Sequence, residues 1–282
     1  MNILGIDFED WYHPDLIKPH TDESERKPIM PKHIDIILKW LKENNTFATF
    51  FIVGEIIKQE PSILKKILDD GHEVGFHTMY HTKLDTEGFK EIFEKEVVEF
   101  AKITNNRCRG FRAPTFSLNE KSAWVIDVLI KNNYLYDSSI VPIKTSMYGI
   151  DNAPKHPYKI SKNMIDSHNI DGKLIEFPIL TGRFLGKKIP MGGGFYLRTL
   201  PMKIIKNAIK DNEEKNIPST FYIHSWELLA DKMPRIKLPR KESFITYHNL
   251  GKSKKKMTEI INEFKFTSFE KFLAREKNNL FK

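Results

Sequence analysis

Short apolar runs alternate with amphipathic stretches along most of the chain, which predicts repeated strand and helix units. "NILGI" reads as a first strand ending at Asp7. "PKHIDIILKWLKENN" sets Ile34, Ile37, Leu38 and Leu41 at helical spacing behind Pro31, a residue suited to a helix start. "TFATFFIVG" is β-branched and aromatic, is closed by Gly54, and reads as a buried strand. The pattern recurs as helix "PSILKKILDDG" with strand "HEVGFH", helix "FKEIFEKEVVEFAKITN" with strand "CRGFRAP", and helix "NEKSAWVIDVLIKNN" with strand "YLYDSS". Such alternation favours a parallel sheet, so the expected fold class is α/β, a distorted, partial or complete (β/α) barrel.

From about 140 to 200 the alternation lapses. Pro142, Pro154, Pro157, Pro178 and Pro190 punctuate the stretch, "MGGGF" stands near its end, and only "KLIEFPIL" offers an obvious core strand. The expectation is one domain over 1–282 with an irregular insertion or lid at 140–200 whose contacts select the substrate. The units resume with helix "LPMKIIKNAIKDNEEKN", strand "STFYIH" ending at His224, and a final helix "TSFEKFLAREK".

Composition narrows the picture only a little. The chain has 282 residues, 40% of them hydrophobic and 29% charged, in the range of a folded globular protein. Its single cysteine, Cys108, excludes an internal disulfide. The amino-terminal run breaks at Asp7 and lacks a basic start, and no apolar stretch approaches the roughly 20 residues that span a bilayer. These features predict a cytoplasmic chain without a transmembrane segment. The net charge of +8 comes from dispersed lysines, with one cluster, "KSKKKM" at 252–257. With no aromatics interleaved, that cluster reads as a solvated helix start or loop, and no nucleic-acid partner is expected. An anionic membrane surface or a phosphate-bearing substrate is the weaker reading. Oligomeric state is not legible.

Barrels of this kind carry their chemistry at the C-terminal strand ends. Those positions hold Asp7, Glu9 and Asp10, then His77 and His81, then Arg112, Asp137 and His224. Two histidines four apart converge on one ion if their loop turns helically, and three acids within "DFEDW" repel unless a cation sits among them. Together they predict a divalent-metal site: zinc first, with cobalt or nickel as alternatives. Arg112, between a strand and a proline, is placed to hold a buried carboxylate. His224 suits a general acid toward a leaving amine. Phe195 and Tyr196 read as packing residues.

These stretches resemble the polysaccharide deacetylase family (NodB homology, carbohydrate esterase family four). "TFATFFIVGE" is similar to its second strand, "FHTMYH" to its metal-binding His motif, "FRAP" to its Arg-x-Pro motif and "FYIH" to the motif carrying its catalytic histidine. "GGGFYLRTLP" resembles a subgroup linked to bacterial exopolysaccharide or surface-glycan loci. The resemblance implies a NodB-like barrel that removes the acetyl group of an N-acetylated amino sugar in a glycan. It also implies Arg112 orienting the base, Asp137 orienting His224, and a backbone N–H near Thr115 stabilising the oxyanion. Where the family shows Thr-Phe-Asp-Asp, this chain has "IDFEDW". Asp7 as base with Asp10 as ligand is the preferred alignment, and Glu9 is the alternative for either role. Two other readings stay open: an allantoinase-like amidohydrolase acting on a ureide, formamide or small cyclic amide, and a catalytically silent glycan-binding protein.

Overall fold

The computed structural model describes residues 1–276 and 280. Its strands are β1 (Asn2–Phe8), β2 (Thr49–Ile52), β3 (Glu73–Phe76), β4 (Gly110–Phe111), β5 (Tyr136–Asp137), β6 (Tyr158–Ile160), β7 (Leu174–Glu176), β8 (Thr181–Phe184), β9 (Lys187–Pro190), β10 (Thr220–His224) and β11 (Phe266–Thr267). The main sheet runs in the order β10, β1, β2, β3, β4, β5, β7, β6, and all its pairings are parallel except β6 with β7. β11 adds a short parallel pairing beside β1. Two single bridges, Ile179 with Thr220 and Gly193 with Tyr222, carry the chain after β7 back to β10 and draw the arc toward a barrel.

Helices form where the sequence spaces its apolar residues for one buried face. Ile34–Glu43 buries Ile34, Ile37, Leu38, Trp40 and Leu41, and Phe89–Ile103 buries Phe89, Phe93, Val97 and Phe100. They cover the outside of the sheet, where Leu4, Ile6, Phe8, Phe50, Ile52 and Phe76 share one continuous core. The inside of the arc has its own smaller core of Ile3, Phe51, Tyr136, Ile175 and Phe177, plugged by Phe269, Phe272 and Leu273 of the helix Phe269–Glu276. Tyr136 stacks on Phe269 with ring centroids 4.8 Å apart. Each such fully buried aromatic is worth roughly 1.5–3 kcal/mol of transfer free energy. Lys277, the last residue of the expected final helix, lies outside the described residues.

The 140–200 stretch is more ordered than its sequence pattern. It contributes β6 and β7 to the main sheet, the β8–β9 hairpin, and the helix Gly194–Thr199. The glycine run lies against β10: a Cβ on Gly193, whose φ is +146°, would sit 2.0 Å from the Tyr222 carbonyl oxygen. The 252–257 cluster opens the helix Ser253–Glu263, and its Lys256 Nζ donates to the carbonyls of Leu197, Arg198 and Leu200 at 2.7–3.2 Å. That lysine therefore closes the C-terminal end of the glycine-started helix.

Candidate active site

Strand alternation decides which acids of "DFED" meet the histidines. Leu4, Ile6 and Phe8 face the outer core and Ile3 the inner one, so Gly5, Asp7 and Glu9 belong to the inner face. Asp7 and Glu9 line one cavity of about 140 Å³ with His77, His81 and His224. Asp10 turns the other way. Its carboxylate accepts from the backbone N–H groups of Trp11 and Ile29, each at 2.8 Å, and more distantly from Met30, tying down the loop that follows. Glu9, not Asp10, is the carboxylate seated beside the histidine pair, which departs from the preferred alignment.

One ligating atom from each of Glu9, His77 and His81 falls within a 4.8 Å cluster, all three residues being buried. His77 Nδ1–H donates to the Arg112 carbonyl at 2.7 Å, which leaves Nε2 carrying the lone pair. Thr78 and His81 adopt left-handed backbone angles, φ +56° and +55°, and the turn they make brings the two imidazoles to 5.0 Å. Glu9 Oε1 accepts from Trp226 Nε1 at 2.8 Å, while Oε2 approaches His81 Nε2 at 2.7 Å out of hydrogen-bond alignment. Burial alone would push the Glu9 carboxyl up, yet His81 first and then His224 outweigh it and hold it well below the usual carboxylate range. An unpartnered Glu9 Oε2 and an unpartnered His81 Nδ1, both buried, beside two imidazoles form a donor set that fits a divalent cation.

Arg112 reaches Asp7 from below through the space that Gly5 leaves, since a Cβ there would lie 2.5 Å from Arg112 Nη1. Nη1 donates to Asp7 Oδ1 at 2.6 Å, Nε and Nη2 donate to the Ser138 carbonyl and hydroxyl, and the guanidinium stands 4.2 Å over the Phe51 ring. Every face of this fully buried cation is thus partnered.

Asp7 and His224 are ladder partners in the β1–β10 register. His224 Nδ1–H donates to Glu227 Oε2 at 2.8 Å, and Trp226 stacks on the imidazole at 4.6 Å. Glu227 Oε1 lies 2.9 Å from Arg198 Nε, and Arg198 in turn donates to the carbonyls of Ile245, Thr246 and His248. Burial works against the imidazolium, but Glu227, and behind it Glu9 and Asp7, raise the His224 pKa to about 9. Asp137, the expected partner of His224, is elsewhere. Tyr136 points into the inner core, so Asp137 points to the outer face, where it pairs in register with Glu176 and accepts from Ser139 Oγ. Burial first, then the Asp137 charge, pushes the Glu176 carboxyl up.

Sequence reading missed Glu227 and Arg198. Glu227 had a signal, because "HSWE" places an acid three residues past the strand end, as in a capping box, and the structure forms one there. Arg198 lies in the irregular stretch and had none. Thr115, at φ +53°, Phe116, Tyr148, Phe195, Tyr222 and Trp226 complete the cavity wall, and Tyr196 packs against the main core.

Residues 22–130 match the family model described as polysaccharide deacetylase, and 138–274 match a domain of unknown function, DUF3473. A peptidoglycan deacetylase-like protein of Gibberella zeae is 30% identical over 37% of this chain and 31% of its own length. A chitooligosaccharide deacetylase of Sinorhizobium fredii is 31% identical over 33% and 43%, and a peptidoglycan-N-acetylglucosamine deacetylase of Bacillus cereus 38% identical over 28% and 28%. The chain thus spans less than half the length of each of these relatives. Two solved structures share the fold: a Mycobacterium smegmatis protein provisionally described as a polysaccharide deacetylase, with TM-score 0.60, 15% identity and coverage of 98% and 91%, and Puue allantoinase, with TM-score 0.56, 13% identity and coverage of 99% and 92%. No helix among the described residues is long and apolar enough to cross a membrane. His77, His81 and Arg112 lie inside the segment that matches the polysaccharide deacetylase model, and the sheet continues through both matched regions.

Proposed function

We propose that this protein is a metal-dependent deacetylase that hydrolyses the N-acetyl group of an amino sugar in a polysaccharide or glycan precursor. The observation that carries the reading is a convergence in one cavity: Glu9, His77 and His81 as a ligand set, with Asp7 and His224 beside it on adjacent strands, each held by a buried partner. Relatives named as N-acetylglucosamine and chitooligosaccharide deacetylases point to the same substrate class.

Glu9, His77 and His81 would hold the cation, zinc being favoured by a His₂-carboxylate set, and it would supply Lewis acidity toward the amide and its attacking water. Asp7, oriented by Arg112, takes the proton of that water as the new carbon–oxygen bond forms. The Thr115 N–H stabilises the oxyanion. His224 then gives its Nε2 proton to the departing amine as the carbon–nitrogen bond breaks, because Glu227 occupies Nδ1 and leaves Nε2 for the substrate. The products are acetate and a free amino sugar. The segment 140–200 contributes Met147, Tyr148, Gly194, Phe195 and Arg198 to the cavity, which supports a part in substrate choice.

The test is acetate release from a panel of N-acetylated glycans, with ureides and small cyclic amides alongside and zinc, cobalt or nickel supplied. Acetate from one glycan class with ureides inert is the expected result. Ureide hydrolysis without acetate release would move the protein to the allantoinase-like reading.

A further inference from the structure

At the opposite end of β10 from His224, the β8–β9 hairpin and the helix Met202–Glu213 enclose a second cleft of about 410 Å³. It shares no residue with the catalytic cavity. Lys155, Arg183 and Lys215 line it, together with Thr181 and Asn207, and Asp211 is the one acid among its walls.

Cations gather around this cleft with one acid among them, whereas several lysines elsewhere are paired. Lys58, Lys66, Lys131, Lys162 and Lys206 each sit within 2.9 Å of a carboxylate. Among the described residues, Lys155, Arg183, Lys188 and Lys215 have no acid within ion-pair reach. Partial burial, and then the charges of Lys188, Arg183 and Lys215, hold the Lys155 ammonium below the usual lysine range. Like charges gathered without a counter-ion raise the free energy of the protein alone, and a bound anion relieves it.

Two further observations point to a ligand. Thr181, only 7% exposed, lies on the cleft wall, and its hydroxyl has no hydrogen-bond partner. A buried hydroxyl left unpaired costs about 1–3 kcal/mol unless something bonds to it. The hairpin beside the cleft also ends in a tight turn at Leu185 and Gly186, φ +48° and +77°, which holds the Leu185 side chain 85% exposed between Arg183 and Lys187. An apolar tip ringed by cations suits a phospholipid surface.

We propose that the cleft formed by Lys155, Thr181, Arg183 and Lys215 binds a phosphate ester. Several converging cations exceed what a single carboxylate would neutralise, and a phosphate supplies both the charge and an acceptor oxygen for the Thr181 hydroxyl. The ester is either a lipid headgroup, with Leu185 entering the bilayer, or a soluble phosphorylated compound.

The test uses the full chain with two probes: inorganic phosphate, followed by calorimetric titration, and vesicles of phosphatidylglycerol against phosphatidylcholine, followed by flotation. Saturable phosphate binding is expected, weakened about tenfold or more in the Arg183→Ala/Lys215→Ala double variant. Thr181→Val should weaken it with the melting temperature kept, and Thr181→Ser should restore it. Retention on phosphatidylglycerol that Leu185→Ser abolishes identifies a headgroup, and phosphate binding without retention identifies a soluble ester. The proposal fails if phosphate does not saturate, whether or not vesicles are retained. It fails equally if Thr181→Val binds as the parent does, or if Lys254→Ala/Lys255→Ala weakens binding as much as the double variant, since diffuse charge would then suffice.

Discussion

Two buried arginines organise the two halves of the catalytic cavity, and they do so differently. Arg112 comes from the regular part of the sheet and touches Asp7 directly, stacked on Phe51 and fixed by Ser138. Arg198 comes from the irregular stretch and reaches His224 only through Glu227, while also pinning three carbonyls of the wall at 245–248. A carboxylate base needs a fixed direction, and one rigid guanidinium provides it. An imidazole acid needs a chosen tautomer as well as a direction, and a carboxylate on Nδ1 provides both.

Removing the two proposed reacting groups is the hardest way to break this comparison. Asp7→Asn and His224→Ala should each lower turnover by about 10²–10⁴ with metal content unchanged, because each removes one proton transfer and no ligand. Steady-state kinetics with elemental analysis of the same samples checks this. If Asp7→Asn stays active while Glu9→Gln does not, the two acids have been given each other's roles.

A smaller change sharpens it. Glu227→Gln keeps the shape but removes the charge that raises the His224 pKa. Turnover should fall by roughly 10–100-fold, the usual cost of losing such a supporting partner. The direction in pH follows from the acid role. His224 must carry its proton, so activity is lost as pH rises through its pKa, and a lower pKa moves that alkaline limb to lower pH. Arg112→Lys should leave the alkaline limb in place, since Arg112 serves the other half. A pH–rate profile in which both variants shift the same limb would erase the distinction between the two arms.

The same contrast explains what was legible in the sequence. Strand ends are readable from short apolar runs that alternate with helically spaced stretches, so His77, His81, Arg112 and His224 can be placed on one rim. The choice between Asp10 and Glu9 was also present: Leu4, Ile6 and Phe8 mark the outer face, and counting on by twos puts Asp10 outside and Glu9 inside. The preferred motif alignment takes Asp10 as ligand, where strand parity decides for Glu9. Asp137 fails by the same parity, because Tyr136 takes the inward position of a two-residue strand. Arg198 could not be found, since its partner is 29 positions away and the order of 140–200 comes from tertiary bridges to β10 rather than from local periodicity. The β8–β9 hairpin was hidden for a related reason: its exposed strands carry cations where a half-buried strand would alternate.

The central claim is that the inward carboxylate completes the metal site, and metal stoichiometry of two variants tests it most directly. Glu9→Gln and Asp10→Asn, each dialysed against zinc and then against buffer, are analysed for bound metal beside the parent protein. Glu9→Gln should lose stoichiometric zinc. Asp10→Asn should keep it while melting at lower temperature, because the amide weakens the bonds from Trp11, Ile29 and Met30. Zinc retained by Glu9→Gln and lost by Asp10→Asn would contradict the account.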